Sequence, residues 1–174
     1  MVFRDVRPTN LTVLTRSLAP GDRVILAGGD GTLNHFVNRL PALPEGIPFY
    51  YYAAGSGNDF LRDASTDANG LVHLNPYIEN LPTVTVRNQT RRFLNGVGYG
   101  IDGYCCEEGD RLRTKGRRNV NYAVIAIKGL LFSFKPREAT IEVDGETKCY
   151  RNVWLAPAMN GRFYGGGMKI APDQ

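Results

Sequence analysis

The chain has 174 residues, 43% hydrophobic and 22% charged, with 21 Lys and Arg against 17 Asp and Glu for a formal net charge of +4. That is apolar material enough for one compact domain or two small ones, and too small a charge excess to mark a nucleic-acid binder. No apolar run is long enough to span a bilayer, and the first residues, with Arg4, Asp5 and Arg7, lack the apolar centre of a signal peptide, so the expected location is cytoplasmic.

In chain order, residues 11–18 read as a helix and residues 23–27 as a strand, since Val24-Ile25-Leu26-Ala27 is a short apolar run that suits a buried parallel strand. Leu33, Phe36, Val37 and Leu40 follow at helical spacing and predict a helix over residues 32–40. Between them lies Gly28-Gly29-Asp30-Gly31-Thr32. Glycines at a strand-to-helix junction let a phosphate approach the backbone closely, and the helix start presents amides to an anion. Thr32 is expected near that start, where its hydroxyl would cap amides or meet a phosphate oxygen. A carboxylate beside a phosphate repels it unless a cation lies between them, so Asp30 points to magnesium, although Asp-Gly by itself is also an ordinary turn.

After a Pro-rich connection over residues 41–48, the β-prone run over residues 48–54 leads to a second small loop, Gly55-Ser56-Gly57-Asn58-Asp59, and to Phe60-Leu61 at a helix start. Two strand-loop-helix units in succession predict an open α/β sheet with both loops lining one crevice at the carboxyl ends of the strands. Neither loop is a Walker sequence or a dinucleotide fingerprint.

Residues 63–76 read as loop, and a domain boundary is expected near residue 78. Beyond it Thr83-Val84-Thr85-Val86 and Arg92-Phe93-Leu94-Asn95 read as strands joined by Arg87-Asn88-Gln89-Thr90. Arg111-Leu112-Arg113-Thr114-Lys115-Gly116-Arg117-Arg118 is the densest charge run, read as a solvated loop or as an attraction for an anionic membrane. Residues 121–134 predict one buried helix, and Asp144-Gly145 predicts a hairpin turn between strands over residues 139–143 and 147–156. Tyr122, Trp154, Phe163 and Tyr164 are candidates for a lipid pocket or for core packing. The three cysteines do not pair evenly, and adjacent Cys105 and Cys106 suit neither a simple disulfide nor a metal site with two isolated histidines. They are expected to be reduced and semi-buried.

Ala27-Gly28-Gly29-Asp30-Gly31-Thr32-Leu33-Asn34, then Val37-Asn38, then Ala54-Gly55-Ser56-Gly57-Asn58-Asp59-Phe60 resemble the catalytic domain of diacylglycerol kinases and related bacterial lipid kinases. Phe93-Leu94-Asn95-Gly96-Val97-Gly98-Tyr99-Gly100-Ile101-Asp102-Gly103 looks like the opening of that family's β-rich second domain. Tyr164-Gly165-Gly166-Gly167-Met168-Lys169-Ile170-Ala171-Pro172 looks like its glycine-rich segment. The resemblance covers about residues 20–174. Nicotinamide-dinucleotide kinases and phosphofructokinases share the first glycine core, so the second loop and the last segment select the lipid-kinase branch.

The resemblance implies an open α/β nucleotide-binding domain over residues 1–78 followed by part of a β-sandwich-like domain over residues 79–174. It implies ATP and magnesium as cofactors and a lipid hydroxyl as acceptor. Gly28, Gly29, Asp30, Gly31, Thr32, Leu33, Asn34, His35, Gly55, Ser56 and Asn58 would hold the nucleotide, with Ser56 standing where the family has a threonine. Asp30 and Asp59 would form a catalytic carboxylate network, with Asp30 on the metal. Taken by itself, Asp59 is equally a helix-start residue favoured by the helix dipole. Asn34 and Asn38, one helical turn apart, face either the crevice or water.

The family's amino-terminal Asn-Pro phosphate loop has no counterpart in residues 1–20, and its proton-accepting carboxylate is expected beyond Gln174. A further family aspartate meets only the uncharged residues 83–86. The expected partners are therefore ATP, a lipid and an anionic membrane contacted peripherally at its inner face, with no nucleic acid. A homodimer is allowed if a strand edge lies open. The alternatives are a non-catalytic nucleotide- or lipid-binding remnant and a phosphotransferase related to NAD kinase.

Overall fold

The computed structural model describes residues 2–117, 120 and 122–173. The chain is α/β and divides into two compact units, residues 1–96 with 159–174 and residues 97–158.

The first unit is built on β1 (Val24–Gly28), β2 (Phe49–Ala53) and β3 (Leu71–His73), in that order in one sheet. β1 and β2 run parallel in a register that sets Val24 beside Phe49 and Gly28 beside Ala53, so both strands end at the same edge. β2 and β3 are antiparallel, with Tyr51 opposite Val72. α1 (Leu11–Arg16) is capped by Asn10, whose side chain accepts the Val13 amide at 3.2 Å. Arg39 fastens the segment before it by donating to the carbonyls of Val6, Arg7 and Thr9.

α2 (Asp30–Arg39) places Leu33, Phe36 and Val37 on its buried face against Phe49, Tyr51 and Val72. Its start differs from the expected position. The carbonyl of Gly29 accepts the amides of Thr32 and Leu33 at 2.9 and 3.0 Å, so the first turn closes at Gly29 and Thr32 lies inside the helix.

α3 (Asp59–Asp63) follows the second loop, and α4 (Asn75–Ile78) follows β3. β3 and α4 correct the expectation of loop over residues 63–76. Three residues carry no readable period, but Val72 and Leu74 are fully buried and Asn75 accepts the Phe49 amide at 2.7 Å. β4 (Thr83–Val86) and β5 (Gln89–Arg92) form a hairpin in this first unit. Arg87 and Asn88 both have positive φ, 49° and 63°, which is a two-residue turn of the primed kind. The second strand therefore begins three residues earlier than the sequence suggests. Asn38 holds β5 against α2, donating to the Arg92 carbonyl and accepting the Arg92 amide, each at 2.8 Å.

The second unit takes in all but the first residue of β6 (Gly96–Gly100) and all but the last of its later partner β9 (Leu155–Met159), together with α5 (Ile101–Thr114) and α6 (Tyr122–Lys128), the latter continued by a π-helical turn over Gly129–Ser133. β7 (Arg137–Val143) and β8 (Glu146–Val153) make the expected hairpin, with Asp144 at φ 52° and Gly145 at φ 82°. α5 is a correction: Arg111, Arg113 and Thr114 are its last turn rather than loop, while Arg118 and Asn121 lie outside the described residues. α6 is a second correction. Ile125 is buried but Ile127, Leu131 and Phe132 are exposed, so the segment is not a buried helix. Cys105 is buried, whereas Cys106 and Cys149 are exposed, and all three are free. The chain ends in the first unit with the short pair β10 (Phe163–Tyr164) and β11 (Met168–Lys169).

Candidate functional site

The two glycine loops leave adjacent strands and touch. The Ala54 amide donates to the Gly28 carbonyl at 2.8 Å, and a Cβ added at Gly55 would lie 2.5 Å from the Cα of Gly29. No side chain fits at Gly55 without a shift of the first loop, and at Gly29 an added Cβ would come 3.0 Å from the Gly55 Cα, so the second loop would have to give by a few tenths of an ångström. Tyr51 supports the root of the first loop, its hydroxyl donating to the Gly28 carbonyl at 2.9 Å. Burial, and then the charge of Asp30, push that hydroxyl up to about 12.

Asn58 fixes the second loop. It sits in the left-handed region at φ 52°, accepts the Gly55 amide at 3.1 Å and donates to the Gly55 carbonyl at 2.8 Å. This bracket makes Asn58 a loop-forming residue in the first instance.

Asp30 reaches across to the start of α3. Its two carboxylate oxygens accept the amides of Asp59 and Phe60, each at 3.0 Å, which satisfies two of the amide groups a helix leaves unpaired at its start. Asp59 in turn accepts the Gly166 amide through Oδ2 at 2.8 Å. The glycine-rich segment is thus drawn to the same place as the two loops. The other oxygen of Asp59, Oδ1, is buried without a hydrogen-bond partner, the one such side-chain atom among the described residues. A buried carboxylate oxygen left bare is costly, and a cation or donor from a ligand would relieve it.

The donor set bears on the magnesium expected from the sequence. Among the described residues no group of three or more His, Cys, Asp and Glu could hold a metal by itself. Magnesium characteristically keeps several waters and takes one or two carboxylates together with substrate phosphates, and the bare oxygen of Asp59 with the neighbouring Asp30 fits that mode. A closed protein cage does not fit.

Sequence reasoning missed a second anchor of the glycine-rich segment. Asp63, at the end of α3, accepts the Arg162 amide at 2.9 Å and the Arg162 Nε at 2.7 Å. Gly161 leaves room for it, since a Cβ there would come 2.7 Å from Asp63 Oδ2. The two partners lie 99 positions apart, so no local pattern could signal the pair. Both ends of α3 therefore hold residues 161–166, one through Asp59 and the other through Asp63. A cavity of about 240 Å³ lies beside this clamp, with Phe60, Tyr77, Leu81 and Leu94 as its apolar floor.

The remaining candidates are spread more widely. Thr32 closes over Gly28, where an added Cβ would meet its side chain at 2.6 Å. Leu33 is fully buried and belongs to the core. His35 meets Arg39 at 3.1 Å, and Asn34 accepts from Asn38 through its carbonyl at 2.9 Å. Gly31 has open space around it, and Ser56 is exposed. Phe163 lies under Arg62 and Arg162 in the first unit, whereas Trp154 packs on Phe134 in the second.

Comparisons with known proteins bear on the family of the chain. The diacylglycerol kinase catalytic domain matches residues 3–92, and the YegS C-terminal NAD kinase beta sandwich-like domain matches residues 95–174. The chain is 30% identical to the "Putative lipid kinase YtlR" of Bacillus subtilis (strain 168), covering 98% of this chain and 61% of that protein. It is 25% identical to a "Diacylglycerol kinase" of Mycobacterium tuberculosis (strain ATCC 25618 / H37Rv), covering 92% and 54%. It is 24% identical to the "Probable lipid kinase YegS-like" of Shewanella frigidimarina (strain NCIMB 400), covering 94% and 54%. The chain spans between about half and three-fifths of the length of these relatives. With the first glycine loops, the β-sandwich-like segment and these relatives in agreement, the chain belongs to the diacylglycerol kinase and YegS-like lipid kinase family.

Proposed function

We propose that this protein is an ATP- and magnesium-dependent lipid kinase that transfers the γ-phosphoryl group to a hydroxyl of diacylglycerol or a related lipid. The observation that carries the reading is the convergence of three glycine segments on two carboxylates, one of which keeps a buried, unpartnered oxygen. Such convergence leaves backbone exposed to a polyphosphate and gives its counter-cation an oxygen to bind. Magnesium, when bound, would offset charge on the transferring phosphoryl group.

This chain's own residues perform the positioning. Gly28 to Thr32 and Gly55 to Asn58 would seat the phosphates, with Asn34, His35 and Ser56 at the margins of the nucleotide. The Asp30 carboxylate holds α3 so that Asp59 stays aimed at the cation. Fixing donor and acceptor in this way supplies rate through orientation and preorganised charge rather than through covalent chemistry.

ATP binding measured calorimetrically with and without magnesium tests the site, together with lipid phosphorylation by the full-length protein. Asp59→Asn is expected to keep the fold, weaken magnesium-dependent ATP binding at least tenfold and abolish turnover. Unchanged metal dependence in that variant would remove Asp59 from the site. A second reading, a non-catalytic binder in which Asp30 is purely structural, draws on the fact that both Asp30 oxygens already accept amides. Under that reading Asp30→Asn lowers stability and leaves the metal dependence of ATP binding intact.

A further inference from the structure

Between Arg111 and Arg137 the sequence holds eight Lys and Arg and no Asp or Glu, whereas the whole chain carries only +4, so the rest of it is net negative. Inside this stretch lies the segment made of α6 and the π-helical turn, apolar apart from Tyr122, Lys128 and Ser133. One side is covered by its own unit. Ile125 is buried, Gly129 lies against the Tyr104 ring, and Phe134 packs on Tyr104 and Trp154. The other side is open, with Ile127 56%, Leu131 67% and Phe132 83% exposed. A helix that is apolar all round is stable in water only when both faces are covered, so the open face calls for an occupant.

The charges select that occupant. Lys128 and Lys135 bracket the exposed Leu131 and Phe132, are themselves exposed, and join no ion pair among the described residues. Arg111 and Arg113 pair with Glu108 and Asp110 on the surface of α5, and exposed pairs of that kind exchange readily for other anions. Cations around aliphatic and aromatic side chains match the boundary of an anionic bilayer, where phosphates lie above hydrocarbon. A nucleic acid would leave the aliphatic face uncovered, and an apolar protein partner would have no use for the cations.

We propose that residues 124–135 form an interfacial anchor for an anionic bilayer, with Leu131 and Phe132 entering the headgroup boundary and Lys128 and Lys135 meeting lipid phosphates. The proposal deepens the lipid-kinase reading by naming the surface that meets the membrane, and it rests on that reading only for its purpose.

Co-sedimentation of the full chain, without nucleotide, with vesicles of phosphatidylcholine alone or mixed equally with phosphatidylglycerol tests it. The chain is expected to bind the mixed vesicles at least tenfold better. Leu131→Ser with Phe132→Ser should lose on the order of tenfold in binding or more, and Lys128→Gln with Lys135→Gln should erase the preference for phosphatidylglycerol. Far-UV circular dichroism should be unchanged in both variants. Equal binding to the two vesicle types, or full binding by the Leu131 and Phe132 variant, would overturn the anchor. So would a wild-type dimer that the same variant dissociates without any change in vesicle binding, since a second copy then covers the face. Vesicle binding with no lipid phosphorylation by the full-length protein would sink the kinase reading alone. Phosphorylation of a detergent-dispersed lipid with no vesicle binding would sink the anchor alone.

Discussion

The two units spend their apolar side chains differently. In the first, fourteen buried hydrophobic residues form one cluster around the β1-β2-β3 sheet, and three glycine segments are drawn into mutual contact on top of it. In the second, the described residues bury only Ile101, Cys105 and Ile125, and the largest apolar side chains of α6 and its π-helical turn face outward. The contrast separates two uses of nonpolar surface. One draws backbone segments into close contact over a packed core, and the other leaves large apolar side chains exposed.

The largest expected effect tests the tightness of the first unit. Gly55→Ala would drive a methyl to 2.5 Å from Gly29 and 2.8 Å from Asn58 Oδ1, so urea unfolding should show a loss of about 3 kcal/mol, with ATP binding lost as well. A loss below about 1 kcal/mol would mean that the loops can part, and the contrast with the second unit would fade. Next is the clamp on the glycine-rich segment. Asp63→Ala leaves the Arg162 amide and guanidinium without their acceptor, and because Arg162 is partly exposed the expected cost is about 2 kcal/mol by the same measurement. Asn38→Ala removes the bracket on Arg92 and should cost about 1 kcal/mol, visible as faster amide exchange along β5.

The smallest effect belongs to the second unit and has the opposite sign. Burial raises the Asp102 carboxyl above its ordinary value, so the folded unit holds that proton to higher pH than the unfolded chain does. Stability from this group is fullest below the unfolded value and falls as pH rises through the folded one. Asp102→Asn should therefore raise the melting temperature at neutral pH and flatten the decline above about pH 4, read by emission of Trp154, the chain's single tryptophan. If that substitution instead lowers the melting temperature at neutral pH, the carboxylate is held by something burial alone does not describe.

Much of the first unit was legible because its local signals agree. The apolar run of β1, the helical spacing of Leu33, Phe36 and Val37, and the glycines between them mark a strand-to-helix junction without outside help. The Asp144-Gly145 turn was legible for the same reason. What escaped depends on partners distant in sequence. Asp30 accepts amides 29 and 30 positions away, and Asp63 meets Arg162 across the whole length of the second unit. α5 was hidden because the charge run over residues 111–118 reads as a solvated loop, and its packing depends on a distant partner: Gly109 lies where an added Cβ would meet the Tyr122 ring at 2.7 Å. The α6 segment misled in another way: hydrophobicity all round is the mark of a buried helix, yet its own unit covers only the side that carries Ile125 and Gly129.

The contact between Gly29 and Gly55 also constrains how this protein can change by descent. Gly55 cannot acquire a side chain while the first loop stays in place, and a side chain at Gly29 asks the second loop to give by a few tenths of an ångström, so a substitution at either position is felt by the loop that carries the other. The two loops are separated by a full strand-helix unit, yet they are bound to drift as a single heritable element. A lineage that abandons one of these glycines gives up the spacing of the pair, and relaxation of both loops should follow in its descendants.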